Sequence, residues 1–391
     1  MKRTCIISCA AVLAVLAGAC GSKGGSGPSG PGPAAACVFA AVPSSVTAGD
    51  TVVAQVTVKD AQQNVATAYR GTAHVISSDG AAQLPGDQSW TAADSGTHTL
   101  SVRLVTAGNQ TLTVTDAANP SITCTSAPVA VQPGAPRLVV GLPADVNAGI
   151  ATNGSVAAQD AFANPVISYA GTVNLTSTDP AASLPATVRV AEGHAVFPVT
   201  FATMGAQTVS AADSVASISG SAGVRVHGLV YTDPAQPSAA VTLVLNAAAS
   251  NAHAVQLDLV ARRAVGAGFA VGMNLPADGS RVVLHPTPLV DGNVFDPGLP
   301  PKAEAVRLTG GVLYSGVSQK AGGAGGGKGD VAIAAGGTYY SIRLALAASA
   351  TPGTVFDGSA PMPGFRAAVR DLLGNDAVSQ RDFAVGKLEV R

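Results

Sequence analysis

The sequence predicts an all-β protein: β-sandwiches in series behind an export segment and a flexible tether. Three observations predict it. Apolar side chains recur with a period of two, as in Val52, Ala54, Val56 and Val58, with Val53, Gln55, Thr57 and Lys59 on the opposite register. Turn formers (Gly, Pro, Asn, Asp) interrupt such segments every ~8–12 residues, the punctuation of an antiparallel sandwich. Charged residues are only 12% of the chain, against roughly 25% in ordinary soluble domains. Small and β-branched residues take their place, which suits stacked sheets with thin cores.

The first residues are not part of that fold. Lys2 and Arg3 precede an apolar run from Ile6 to Leu16, followed by Leu16-Ala17-Gly18-Ala19-Cys20. This is the anatomy of an export signal, and the run falls short of the ~20 residues a spanning helix needs. The segment resembles a lipobox, with Ala17 where leucine is more usual. The resemblance implies removal of residues 1–19 and lipidation of Cys20. With Gly21 rather than aspartate after the cysteine, it also implies an outer-membrane address and a membrane partner reached through the lipid. Residues 21–36 are a Gly/Ser/Pro tether; a flexible coil of that length spans about 20–25 Å.

The body of the chain contains an internal repeat, a feature to be sought before finer structure. Pro43, Ala48-Gly49, Asp60-Ala61, Asn64, Tyr69, Gly71-Thr72, Ser77, Asp79 and Leu84-Pro85 all recur one hundred residues later. Gly108-x-Gln110-Thr111 and Asp116 then recur at an offset of ninety-seven, as Gly205-x-Gln207-Thr208 and Asp213. These are two copies of one domain, residues 37–133 and 136–226. Inward registers are Val52 to Val58, then His98, Leu100, Val102 and Leu104, and in the second copy Phe197, Val199 and Phe201. The pattern Ala-Gly-Asp, Val-x-Asp-Ala-x-x-Asn, Tyr-x-Gly-Thr-x-x-x-x-Ser-Ser-Asp resembles bacterial Ig-like repeats of the invasin and filamin-like kind. The resemblance implies Ig-like sandwiches serving as stalks, spacers or adhesive modules. The second copy departs from it, with Ile150 in place of the aspartate and no flanking cysteines.

Of five cysteines, Cys37 and Cys124 remain after the leader and the lipidated residue are set aside. They stand where the first copy begins and ends, in an oxidising compartment. First and last strands of such a sandwich can lie side by side, so a Cys37–Cys124 disulfide is expected; two free buried thiols are the alternative.

Residues 229–391 break the period. Val241, Leu243 and Leu245 alternate, as do Val255, Leu257 and Leu259, and Tyr340, Ile342, Leu344 and Leu346. A larger β-sandwich is expected, similar to cohesin-like or carbohydrate-module jelly rolls. Phe365, Ala368, Val369, Leu372 and Leu373 also fit helical spacing with Gly374 as a cap. A strand ending in the turn Asp371-Leu372-Leu373-Gly374-Asn375 is preferred, because its surroundings are β.

Little in the chain points to catalysis. Gly322 to Lys328 begins like a P-loop, but Gly329 stands where magnesium needs Ser or Thr, so no nucleotide is expected. The six histidines are dispersed, and His98 reads as packed rather than metal-bound. Only Glu192, Glu304 and Glu389 are glutamates, and no pair of carboxylates is singled out for glycosidic chemistry. Asp60, Asn64, Asp79 and their repeats could offer oxygens to calcium, though turn chemistry explains the same residues. Without its leader the chain has twenty basic and 23 acidic residues, net −3, with no basic patch for nucleic acid. No catalytic residue, metal site or cofactor is expected. Trp90, Tyr314, Tyr339 and Tyr340 are the candidates for contact with a sugar or protein; in the Tyr339-Tyr340 pair at most one ring should be core. The expected role is structural or adhesive, toward an envelope protein or polysaccharide. The alternatives are a carbohydrate-binding or cohesin-like module of an extracellular polysaccharide system, and an enzyme of unfamiliar type.

Overall fold

In the computed structural model, residues 30–236, 238–295, 303–319 and 329–391 are described. Cys20, the export segment and the partial P-loop lie outside them. The described chain is β throughout, apart from short 3-10 turns. It forms two compact units, one ending at Gln132 and one beginning at Pro133.

The first unit holds the first repeat. Ala34–Ala41, Thr51–Asp60 and Thr97–Arg103 form one antiparallel sheet. Facing it, Thr72–Ser77 pairs with Leu112–Asp116, flanked by Gln88–Ser89 and Thr123–Thr125. Ser45–Thr47 runs parallel to Val129–Gln132 at the end of the sandwich. The period-two segments behave as the sequence requires. Val52, Ala54, Val56 and Val58 are buried, as are Leu100, Val102 and Leu104, while Val53 is exposed.

The second unit begins with the second repeat, built on the same plan. Arg137–Gly141, Ala151–Gln159 and His194–Thr200 form one sheet. The other has the order Asp145–Asn147, Ile218–His227, Gly205–Asp213, Gly171–Ser177, Thr187–Val190. Phe197, Val199 and Phe201 fill its centre. Here the last strand is continuous, whereas in the first repeat its counterpart breaks between Thr125 and Val129. Three residues (126–128) fill that gap and only two (222–223) the matching one, and Pro128 has no N–H for the ladder.

A second difference in length, five residues (117–121) against four (214–217) in the preceding hairpin, hides an equivalence. Cys37 lies opposite Val58, and Leu138 opposite the matching Ala158. Cys124 lies opposite Val114, and Gly220 opposite the matching Ala211. The pair Cys37/Cys124 in one repeat is therefore Leu138/Gly220 in the other. The cysteines form a disulfide with Cα atoms 5.5 Å apart, joining the first and last strands. In the second repeat the strands approach through glycine instead: a Cβ on Gly220 would sit 2.0 Å from the Leu138 carbonyl oxygen.

The described residues of 229–391 form the larger sandwich. One sheet has the order Val282–Asp291, Thr338–Leu346, Ala254–Ala261, Val241–Leu245, Phe383–Ala384. The other has the order Ala303–Thr309, Val312–Ser318, Ala270–Pro276, Arg366–Arg370, Asp376–Val378. Leu243, Leu257 and Leu259 of the first pack with Met273, Leu275, Leu313 and Val369 of the second. Arg366–Arg370 and Asp376–Val378 are paired strands, so the helical alternative there is excluded.

One five-residue loop occurs in all three sandwiches. At Asp60–Asn64, Asp160–Asn164 and Asp371–Asn375 the aspartate N–H donates to the asparagine carbonyl. One carboxylate oxygen accepts the asparagine N–H, and the other accepts its side-chain amide. The fourth residue takes a left-handed conformation, φ 68° at Gln63, 66° at Ala163 and 88° at Gly374. In the two repeats the same aspartate also binds the incoming chain, through Gly32 N–H and Gly134 N–H.

Candidate functional site

The aspartates offered above for calcium are surrounded by donors. Asp79 accepts N–H groups from Ala81, Val105 and Thr106 and the Thr106 hydroxyl. Asp179 repeats the arrangement with Ala181, Ala202 and Thr203. Each converging N–H presents positive partial charge to the carboxylate, so these oxygens serve turn chemistry. Among the described residues no group of three His, Cys, Asp or Glu side chains is placed to hold a metal ion.

These donors also set the acid response. Burial pushes the Asp79 and Asp179 carboxyls up, but the surrounding donors outweigh it and hold both below the ordinary value. The Gly32 N–H does the same for Asp60, and the Tyr169 hydroxyl for Asp213. Because the folded pKa values lie below the unfolded one (about 3.9), their contribution is complete above that pH and lost as pH falls through the folded values. The melting temperature should hold steady down to about pH 5 and drop below about pH 4. Asp79→Asn and Asp179→Asn should flatten that drop; an unchanged acid limb in both variants would exclude these carboxylates as its source.

The aromatic candidates separate clearly. Trp90 is 3% exposed, Tyr339 1% and Tyr340 0%, so none offers a ring face to a ligand. Trp90 packs edge-on against Tyr69 and in a tilted contact against His98. His98, expected on the inward register, is half-buried and contacts Asp94 and Gln88. The expectation that one of Tyr339 and Tyr340 would face solvent is corrected. Their strand is central, and residues 292–295 fold back over its start, with Asn293 N–H donating to the Thr338 carbonyl and Phe295 lying 6.0 Å from the Tyr339 ring. Tyr340 points the other way and bonds the Ser315 hydroxyl at 2.8 Å beneath the opposite sheet.

Only Tyr314 remains, and it stands in a concavity of about 620 Å³ on the outer face of that opposite sheet. The register builds this trough from three rows running across the strands. In the middle row, Ala305 pairs with Gly316, Gly316 with Gly272, and Gly272 with Ala368. On one side stand Arg307, Tyr314, Asn274 and Arg366, and on the other Ala303, Ser318, Ala270 and Arg370. Alternate residues along a strand are ~6.8 Å apart, so the walls stand roughly 13 Å from each other. The floor carries methyl groups or nothing.

Glycine in mid-strand is unfavourable and often marks a close approach. A Cβ on Gly272 would meet no atom nearer than the Ser315 carbonyl oxygen at 3.7 Å, so the protein's own packing does not demand glycine there. Arg366 and Arg370 line the trough, and Arg307 stands next to Tyr314 by register. Arg307 lies over the Tyr314 ring at 5.6 Å from its centroid, Arg366 donates to the Phe365 carbonyl, and Arg370 bonds Asp376 at 3.1 Å. Sequence reasoning found Tyr314 and missed Gly272, Gly316, Asn274 and the three arginines. Their alternation is visible in the sequence, but the cross-strand register that makes them one surface is not.

A second cleft, of about 1110 Å³, lies between the second repeat and the C-terminal sandwich. Its polar groups serve the junction itself. The Asn147 amide donates to the carbonyls of Ala347, Ala348 and Ala350, and His227 contacts Asp145 at 2.9 Å.

No protein-family model and no curated protein matches the chain. Among solved structures it is similar to the Escherichia coli adhesin FdeC, at 19% identity and a TM-score of 0.30 over 90% of this chain and 97% of that one. It is similar to the Yersinia pseudotuberculosis adhesin InvE, at 17% identity and 0.25 over 71% and 72%. For the D00-D0 domain of intimin the values are 13% and 0.27, over 49% and 98%. At these TM-scores the likenesses add nothing to the fold seen here and assign no function.

Proposed function

We propose that this chain is a non-catalytic binding protein of the bacterial envelope, in which two Ig-like repeats carry a ligand-binding C-terminal sandwich. The observation that carries the reading is the trough. Its floor is glycine and alanine, Tyr314, Arg366 and Arg370 line it, and Arg307 lies over the Tyr314 ring. Two facing five-stranded sheets with a concave outer face are what a jelly-roll or cohesin-like module would present. Tethering by lipid at Cys20 to the outer membrane follows from the lipobox resemblance and the tether. The C-terminal sandwich is the last of the three in chain order, and loops and faces on a folded scaffold serve recognition.

The experiment has two arms. Cys20→Ser expressed in a diderm bacterium should move the protein from the membrane fraction to the soluble one; retention in the membrane would remove the lipid anchor. Gly272→Leu should leave the melting temperature within a few degrees of wild type and abolish saturable binding of the ectodomain to envelope polymers. Binding that survives with a leucine across the floor would exclude the trough.

A further inference from the structure

We propose that the trough takes an acidic polysaccharide, a chain of carboxylate-bearing sugar rings lying across the strands. This inference rests on the reading of the trough as a binding site.

Direction is the first consideration. The trough crosses the strands on a sheet face where the interior backbone groups are already committed to the ladders. An extended peptide gains affinity by main-chain pairing at a sheet edge, and this floor offers it no such partner. What is available is side-chain chemistry alone: a half-buried phenol ring, an amide and guanidinium groups. A planar ring beside hydrogen-bonding groups suits sugar rings, whose faces stack and whose rims carry hydroxyls.

Charge is the second. Arg366 and Arg370 line the trough with Asp376, and Arg307 stands beside Tyr314 at the end of one row, on a molecule whose net charge is −1. Arg307 and Arg366 close the two ends of one wall, about 14 Å apart across three strand spacings. That is room for a short run of rings between two carboxylate contacts. Guanidinium groups bind carboxylates in a bidentate fork, which selects a charged sugar over a neutral one. The middle row, Ala305, Gly316, Gly272 and Ala368, carries nothing larger than a methyl group and lets the sugar rings lie flat between the walls.

The test titrates the ectodomain, residues 21–391, with three probes: polygalacturonate, neutral galactan and polyglutamate. Polygalacturonate should bind saturably and weaken as salt is raised. Arg307→Ala and Arg366→Ala should each weaken it by about tenfold or more, Arg366→Lys should fall between, and Gly272→Leu should block it. Melting curves would establish that each variant is folded. Two results would overturn the acidic-polysaccharide assignment while leaving the trough: galactan binding equally and insensitive to the arginines, which removes the acidic part, or polyglutamate binding alone, which removes the sugar part, each blocked by Gly272→Leu. Binding of any probe unaffected by Gly272→Leu would overturn the trough itself. Failure of all three probes to bind the wild-type chain would overturn the acidic-polysaccharide assignment.

Discussion

Replacing Cys37 and Cys124 together by alanine should destabilise the first repeat by about 4–5 kcal/mol, the chain-entropy value for a long closed loop. The cross-link spans 87 residues and ties the first strand of the sandwich to one near its end, so it constrains nearly the whole unfolded repeat. The effect should be local. In urea denaturation of the full chain the transition of the first unit should move to lower denaturant, and that of the second unit should stay in place. Reducing the wild-type protein should reproduce the shift. A loss below about 1 kcal/mol would mean that the strands hold each other without the bond. Trp90, buried in the core of the first repeat, provides the fluorescence probe, and the sequence contains no other tryptophan.

In the second repeat the matching contact fails by the opposite route, through addition rather than removal. Gly220→Ala places a Cβ where the Leu138 carbonyl oxygen now sits, 2.0 Å away, and neither backbone can yield without breaking its ladder. Overpacking of this kind should cost about 2–3 kcal/mol. Gly223, three residues on in the same strand, is the control. A Cβ there would meet nothing nearer than the Gln207 carbonyl oxygen at 3.9 Å. Gly223→Ala should be neutral or stabilising by about 0.5 kcal/mol through the unfolded chain. Equal effects at the two positions would contradict the close approach of the two strands. One fold thus closes the same gap in two ways, with a covalent bond in one copy and a missing side chain in the other.

The periodic signals in the sequence carried far. Val52 to Val58 and Phe197 to Phe201 are buried as their alternation requires, because each strand has one face on a core and one in water. The turn at Asp371–Asn375 was legible for the same reason as its counterparts at Asp60 and Asp160: the residues bond their own backbone, so the geometry is local. What failed depends on the third dimension, although one long-range pairing, Cys37–Cys124, did not fail. Alternation places Tyr339 and Tyr340 on opposite faces, and they are, but it cannot show that residues 292–295 cover the second face. The Cys124/Gly220 equivalence is hidden by one extra residue in the hairpin between Asp116 and Ile122 and by another before Val129. The trough is the extreme case, since its middle row takes one residue from each of four strands and exists only through their register.

The most direct measurement is hydrogen–deuterium exchange on the ectodomain with and without saturating polygalacturonate. The trough predicts slowed exchange in Ala270–Pro276, Val312–Ser318 and Arg366–Arg370, with the strands of both repeats unchanged. Protection confined to the repeats, or to the cleft beside Asn147, would place the ligand elsewhere and contradict the account.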